Sequence, residues 1–384
     1  MKKISIILGT RPEAIKLAPV IKAVQSSDSL TCHLCVTGQH RGMLDQVLEV
    51  FDLTPDVDLD VMVPGQTLSG LTSRLIDRID AYLTSERPDA VIVQGDTTTV
   101  LSASLAAFYH KIPIGHVEAG LRTGNMCSPW PEEANRVLAS RLSRWHFAPT
   151  NLNRNNLLRE GVDESQIFVT GNTVIDALFM GLELCENQAV SIAGLPECGL
   201  DFIGDRKMVL VTGHRRENFG GGFEDICNAI ASLAEKFPDV QFIYPVHLNP
   251  NVREPVARIL KPAHALNNNI HLIEPQPYLQ FISLMKRADL ILTDSGGVQE
   301  EAPSLNKPVL VMRDSTERPE AVDAGSVRLV GTNRVAIIDA ASDILNRVAD
   351  LGDVPNVVNP YGDGTAAFKI LEVLEKHFSV DKLS

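Results

Sequence analysis

Short apolar runs, each closing in a small or polar turn and opening a stretch able to form a helix, recur along the chain from residue 3 to residue 312. Lys3 to Leu8, Ala90 to Gln94, Met208 to Thr212 and Leu290 to Thr293 are the clearest, and each is too short and too continuously apolar to be one face of an amphipathic helix. Strands of that kind are buried on both faces, so they belong to parallel sheets covered by helices on either side. The alternation therefore predicts an α/β chain of doubly wound, Rossmann-like sheets. At 384 residues the chain exceeds what one core usually holds, so two domains are expected. We place the change between residues 171 and 206, assigning 1–171 to a first domain, 172–362 to a second and 363–384 to a terminal helix. Trp145 to Pro149 reads as the last strand of the first half, and Gly220-Gly221-Gly222 as a loop before a helix starting near Phe223.

In doubly wound sheets, ligands bind beyond the carboxyl ends of the strands, so the residues there carry the chemistry. After Leu290-Ile291-Leu292-Thr293-Asp294, Ser295 reads as a helix cap, and Gly296-Gly297 allow a ligand to approach the first turn closely. The free N–H groups and dipole of such a helix start suit a diphosphate, and Glu301 is placed to accept hydrogen bonds from a ribose diol. The same residues also suit an ordinary strand-to-helix turn. Gly9-Thr10-Arg11 has neither the spacing of a dinucleotide fingerprint nor a phosphate-loop lysine, but carries two cations, Arg11 and Lys16, equally readable as a solvated pair. Asp96 and Glu118 each follow a strand; if those strands are neighbours, the carboxylates face one crevice as acid–base groups. Glu132 follows Pro131 at a helix start, where a capping role competes with a catalytic one. His214 ends a strand beside Arg215 and Arg216, a setting for phosphate. Gln276 and the helix bearing Phe281 suggest a pocket for a flat base such as uracil.

A formal net charge of −13 argues against nucleic acid and anionic membrane as partners. The amino-terminal apolar run is too short for a secretion signal, and no stretch reaches the ~18 residues that span a bilayer, so a cytoplasmic protein is expected. Six scattered cysteines fit a reducing compartment. Cys32 and Cys35 read as packing residues of one strand, with no second ligand pair for zinc.

The runs Gly9-Thr10-Arg11-Pro12-Glu13-Ala14-Ile15-Lys16, Gln94-Gly95-Asp96-Thr97-Thr98, His116-Val117-Glu118-Ala119-Gly120-Leu121-Arg122, Pro131-Glu132-Glu133-Ala134-Asn135-Arg136, Thr212-Gly213-His214-Arg215-Arg216-Glu217-Asn218, Asp294 to Glu301 and Thr316-Glu317-Arg318-Pro319-Glu320 together resemble the non-hydrolysing UDP-N-acetylglucosamine 2-epimerases. The resemblance implies two Rossmann-like domains facing across a cleft, the glycosyltransferase-B architecture, with the last helix returning to the first domain. It implies an isomerase acting on a UDP-N-acetylhexosamine, and a homodimer. By position, Asp96, Glu118, Glu132 and His214 match the family's catalytic residues. Arg11, Lys16, Gln276, Phe281, Ser295, Gly296, Gly297, Glu301 and Arg318 match its nucleotide-sugar contacts. It further implies activation by substrate near Gln39-His40, though an arginine that some members carry before the residue matching Gln66 is Gly65 here.

The chemistry narrows in the same direction. The hydrogen on C2 of a nucleotide sugar is not acidified by a neighbouring carbonyl, and no nicotinamide site is evident. The remaining route is elimination of UDP to a 2-acetamidoglucal and its re-addition, which requires no cofactor and no metal. It needs a clamp for the departing diphosphate and acid–base groups on both sugar faces. A UDP-sugar glycosyltransferase of the same architecture, or an epimerase for a UDP-diacetamido uronic acid, are the alternatives.

Overall fold

A computed structural model describes residues 1–38, 41–187, 190–196, 199–347 and 359–380. In chain order its elements are β1 (Lys2–Leu8), α1 (Arg11–Gln25), β2 (Leu30–Val36), α2 (Arg41–Val50), β3 (Val57–Asp58), α3 (Leu68–Glu86), β4 (Ala90–Gln94), α4 (Thr98–Tyr109), β5 (Ile114–Val117), α5 (Glu132–Leu142), β6 (Trp145–Ala148), α6 (Asn151–Arg159), β7 (Ile167–Val169) and α7 (Thr173–Asn187). They continue with β8 (Met208–Thr212), α8 (Gly221–Lys236), β9 (Gln241–Pro245), α9 (Pro250–Asn267), β10 (Ile270–Ile273), α10 (Tyr278–Arg287), β11 (Leu290–Thr293), α11 (Gly296–Glu301), β12 (Val309–Val311), α12 (Pro319–Asp323), β13 (Arg328–Leu329), α13 (Arg334–Arg347) and α14 (Ala366–Val380). The chain divides into two compact units, Met1–Met180 with Tyr361–Ser384, and Gly181–Pro360.

The first unit is built on a parallel sheet in the order β3-β2-β1-β4-β5-β6-β7. β1 lies inside it, in register with β2 from Lys2↔Leu30 to Leu8↔Val36 and with β4 over Ile4 to Ile6. Ile4, Ile6, Ile7 and Leu8 are wholly buried, which is why this run shows no alternation of apolar and polar residues. α14 packs on α1. Its first turn is capped by Asp176 of α7, whose carboxylate accepts from Ala366 N at 3.3 Å and Ala367 N at 2.8 Å, and Ile370 and Leu374 are wholly buried.

The second unit repeats the plan with the order β10-β9-β8-β11-β12-β13, again parallel. Its core joins Phe223, Ile226 and Ile230 of α8 to Val211, Phe242 and Leu292 of the sheet. In each sheet the first strand, β1 or β8, lies between the second strand and one much later in the chain. The loops leaving β1 and β4, and those leaving β8 and β11, therefore diverge to opposite faces and open a crevice at the carboxyl ends.

Two expectations are corrected. Trp145 to Ala148 is not the final strand of the first sheet, because β7 follows through α6, a helix whose sequence Asn-Leu-Asn-Arg-Asn-Asn hides its apolar face. Gly221 and Gly222 are the first residues of α8, not a loop: Gly220 takes the left-handed conformation, φ +88°, and a Cβ at Gly222 would meet the Thr332 side chain at 3.2 Å. α9 is continuous through Pro255 and Pro262. Gln39 and His40, where the resemblance puts a second substrate site, lie outside the described residues. Among the described residues no helix is long and apolar enough to cross a membrane.

Gly120 shows how tightly the loop after β5 is held. Its φ is +90°, and a Cβ there would stand 2.3 Å from the Asn153 carbonyl oxygen. Gly120→Ala should destabilise the protein by roughly 1–3 kcal/mol or more, read as a lowered urea midpoint at unchanged slope.

Candidate active site

β4 and β5 pair with Gln94 opposite Val117, so the carboxylates that follow them are neighbours. Glu118 stands in the left-handed region at φ +65°, an arrangement that costs a non-glycine residue about 1–2 kcal/mol and is characteristic of functional sites. It is fixed there by Lys16, whose Nζ donates to both carboxylate oxygens at 2.7 and 2.8 Å, and by the Gln94 amide. Of the two cations expected near β1, Lys16 is thus bound to Glu118, whereas Arg11 stays exposed at the start of α1.

Asp96 pairs with Arg136 Nη2 at 3.0 Å. Burial nevertheless lifts its carboxyl to about 6; the Arg136 guanidinium opposes this, Glu118 and Glu132 add to it, and Lys16 opposes it more weakly. Asp96, Glu118 and Glu132 therefore share one field. The adjacent pair on α5 divides by function. Glu133 is 1% exposed and accepts from Thr123 N and Gly124 N, both at 3.0 Å, so it ties the preceding loop to the helix. Among the described residues, no donor reaches the buried Oε2 of Glu132.

In the second unit the centre is Asp294, wholly buried after β11. One of its oxygens accepts from His214 N and Arg215 N, both at 2.9 Å, and from the Asn218 amide at 3.3 Å, which ties the loop after β8 to the loop after β11. The His214 ring lies with Nδ1 3.6 Å from the other Asp294 oxygen and stacks on His247 at 5.2 Å. Burial lowers the His214 pKa, while Asp294 pulls the other way.

Ser295 occupies the cap position of α11, but its hydroxyl makes no capping bond, which corrects the expectation that it caps the helix. Gly296 leaves room for Arg318: a Cβ would stand 2.8 Å from the guanidinium carbon, so a larger residue would displace it. Arg318 is oriented by Glu300 at 2.8 Å and Glu317 at 2.9 Å, so two carboxylates aim it across the glycine turn. Gly297 is less crowded, with Glu301 Oε2 3.9 Å from where its Cβ would be. Glu301 is buried and acts electrostatically on Tyr278 of α10. Gln276 donates to the carbonyls of Ala193 and Glu274 at 3.2 and 2.7 Å, and among the described residues no donor reaches its own buried carbonyl. Phe281 is half-buried on α10.

Arg11, Lys16, Asp96, Glu118 and Glu132 thus belong to the first unit, and His214, Gln276, Phe281, Ser295, Gly296, Gly297, Glu301 and Arg318 to the second. Glu13, Gln94, Arg136 and Asp294 were not assigned roles in advance. Two had a local signal: Glu13 stands three residues after Thr10, the spacing of a capping box, and Arg136 stands one turn after Glu132. Gln94 and Asp294 had none, since their partners are distant in sequence.

Comparison with known proteins shows the family. Residues 22–375 match the family model for UDP-N-acetylglucosamine 2-epimerase. A relative from Yersinia pestis named UDP-N-acetylglucosamine 2-epimerase is 57% identical over 375 residues, 98% of this chain and 99% of that protein. The crystal structure of the UDP-GlcNAc 2-epimerase of Neisseria meningitidis, bound to UDP-GlcNAc, is 50% identical with a TM-score of 0.87, covering 97% of this chain and all of that one. A glycotransferase of kitacinnamycin, 11% identical with a TM-score of 0.59, shares the fold alone. Carboxylates gathered at one pair of strand ends, a guanidinium held over a glycine turn at another, and near-complete coverage by these relatives lead to one assignment: the chain belongs to the UDP-N-acetylglucosamine 2-epimerase family of isomerases.

Proposed function

We propose that the chain interconverts UDP-N-acetylglucosamine and UDP-N-acetylmannosamine by eliminating UDP to a bound 2-acetamidoglucal and adding it back. The observation that carries this reading is the gathering of three carboxylates, two of which, Glu118 and Glu132, add to the rise of the third, Asp96, to about 6. A carboxylate takes the C2 proton as the C2–H electrons form the C1–C2 double bond, and UDP leaves with the electron pair of the breaking C1–O bond. Return of UDP with a proton delivered to the opposite face of C2 gives the epimer. Asp96, Glu118 and Glu132 serve as the acid–base groups, and the carboxyl of Asp96, raised to about 6, suits proton transfer near working pH. Arg11, His214, Arg318 and the N–H groups of the Ser295-Gly296-Gly297 turn hold the departing diphosphate, stabilising charge where it develops. Lys16 orients Glu118 by its two hydrogen bonds. Glu301 takes the ribose diol, and Gln276 and Phe281 take the base. A homodimer working in the cytoplasm without a cofactor is part of the same proposal.

Turnover in D2O should place deuterium at C2 of the recovered UDP-N-acetylglucosamine, seen by proton NMR. Complete retention of protium at C2 would falsify exchange through elimination. Asp96→Asn and Glu132→Gln should each lower kcat by about 10²–10⁴-fold while UDP still binds by calorimetry; near-normal rates in both would remove these groups from the mechanism.

Asp96 also makes a pH-dependent contribution to stability. Its folded pKa is raised from 3.8 to about 6, so the fold favours the neutral acid; that contribution is complete below pH 3.8 and is lost as pH rises through 6. Relative to Asp96→Asn, the wild-type protein should lose roughly 2–3 kcal/mol of stability between pH 4 and 7, measured by urea unfolding at each pH.

A further inference from the structure

Asp96 belongs to the tripeptide Gly95-Asp96-Thr97 between β4 and α4, and each of its residues is held by a buried side chain from a different element. His116 Nε2 on β5 donates to the Gly95 carbonyl at 2.7 Å. Asn135 Nδ2 on α5 donates to the Asp96 carbonyl at 2.9 Å. Thr97 Oγ1 donates to Glu13 Oε1 on α1 at 2.7 Å. The three holders are 0%, 5% and 2% exposed, so water does not compete for these bonds.

The chemistry of each holder is fixed as well. Burial drives the His116 imidazole down to about 4, so it is neutral at working pH; because a carbonyl only accepts, its proton resides on Nε2. The second oxygen of Glu13 accepts from Gly9 N at 3.0 Å and Thr10 N at 2.7 Å. One carboxylate therefore joins the loop that carries Arg11 to the loop that carries Asp96.

We infer that Glu13, His116 and Asn135 are positioning residues for the epimerisation, acting through the backbone of 95–97 to set the Asp96 carboxyl against Glu118 and Glu132. None of them needs to touch the substrate. The inference rests on the role given to Asp96 above. It has force because displacement of a reacting group by about 1 Å can cost ~10²-fold in rate even when binding is intact.

The test uses paired substitutions in the full-length protein. Thr97→Val removes the hydroxyl that reaches Glu13, and Thr97→Ser restores it; His116→Leu removes the Nε2 donor, and His116→Gln returns an amide N–H to nearly the same place. Thr97→Val and His116→Leu should lower kcat about 10- to 100-fold while KM and the Kd for UDP stay within about threefold, and both rescue variants should recover most of kcat. A purely structural role would instead lower the melting temperature without changing kcat per folded molecule, and that result overturns the inference, as does loss of kcat that Thr97→Ser and His116→Gln fail to rescue. If His116→Leu does not fold, the Thr97 pair decides. Asp96→Asn run in parallel separates the two claims: activity in that variant defeats the assignment of Asp96 itself, whereas an inactive Asp96→Asn beside fully active Thr97→Val and His116→Leu defeats only the positioning.

Discussion

A parallel sheet whose strand order reverses has a weak point where it is most useful, because the two loops at the reversal run to opposite faces. Here a buried carboxylate spans the gap in each unit. Glu13 accepts from the loop after β1 and from Thr97 after β4, and Asp294 accepts from two backbone N–H groups after β8 while itself standing after β11. Burying a carboxylate is expensive, and convergent N–H and O–H donors offset that cost at positions where several are available. Everything placed on these loops inherits its precision from these two side chains.

On this shared scaffold the two units carry opposite chemistry. The first gathers Asp96, Glu118 and Glu132, with Lys16 and Arg136 keeping them from repelling one another outright. The second presents backbone N–H groups, a half-exposed histidine and an arginine braced by Glu300 and Glu317. In the proposed mechanism acid–base work falls to the first unit and anion stabilisation mainly to the second, two tasks that make contrary demands on local potential. In the first unit the left-handed backbone of Glu118 turns the carboxylate back toward Lys16, at a local cost that the ion pair and Gln94 hold in place.

Much of this was legible in the chain itself. The strands that end in functional residues are continuous apolar runs, and both their type and their carboxyl ends could be read directly, as could the family to which the motifs point. What was not legible depended on partners far away in sequence. β7 is three residues long and its preceding helix is rich in asparagine, so neither carries a periodic signal. Gly221 and Gly222 look like a loop because glycine disfavours helix, yet tertiary packing on Thr332 overrides that preference. Ser295 sits where a capping serine should, but its hydroxyl is not used that way. The division of labour between Glu132 and Glu133 is invisible in sequence; it follows from the backbone of Thr123 and Gly124 closing on one of them.

The packing of α14 on α1 bears on how the molecule is made. Ile370 and Leu374 complete a hydrophobic face that belongs to the amino-terminal half. During synthesis that half emerges from the ribosome first, with α1 exposed on one side, and must wait through some 180 further residues before its covering helix arrives. The first unit is therefore completed only after the whole of the second has been translated.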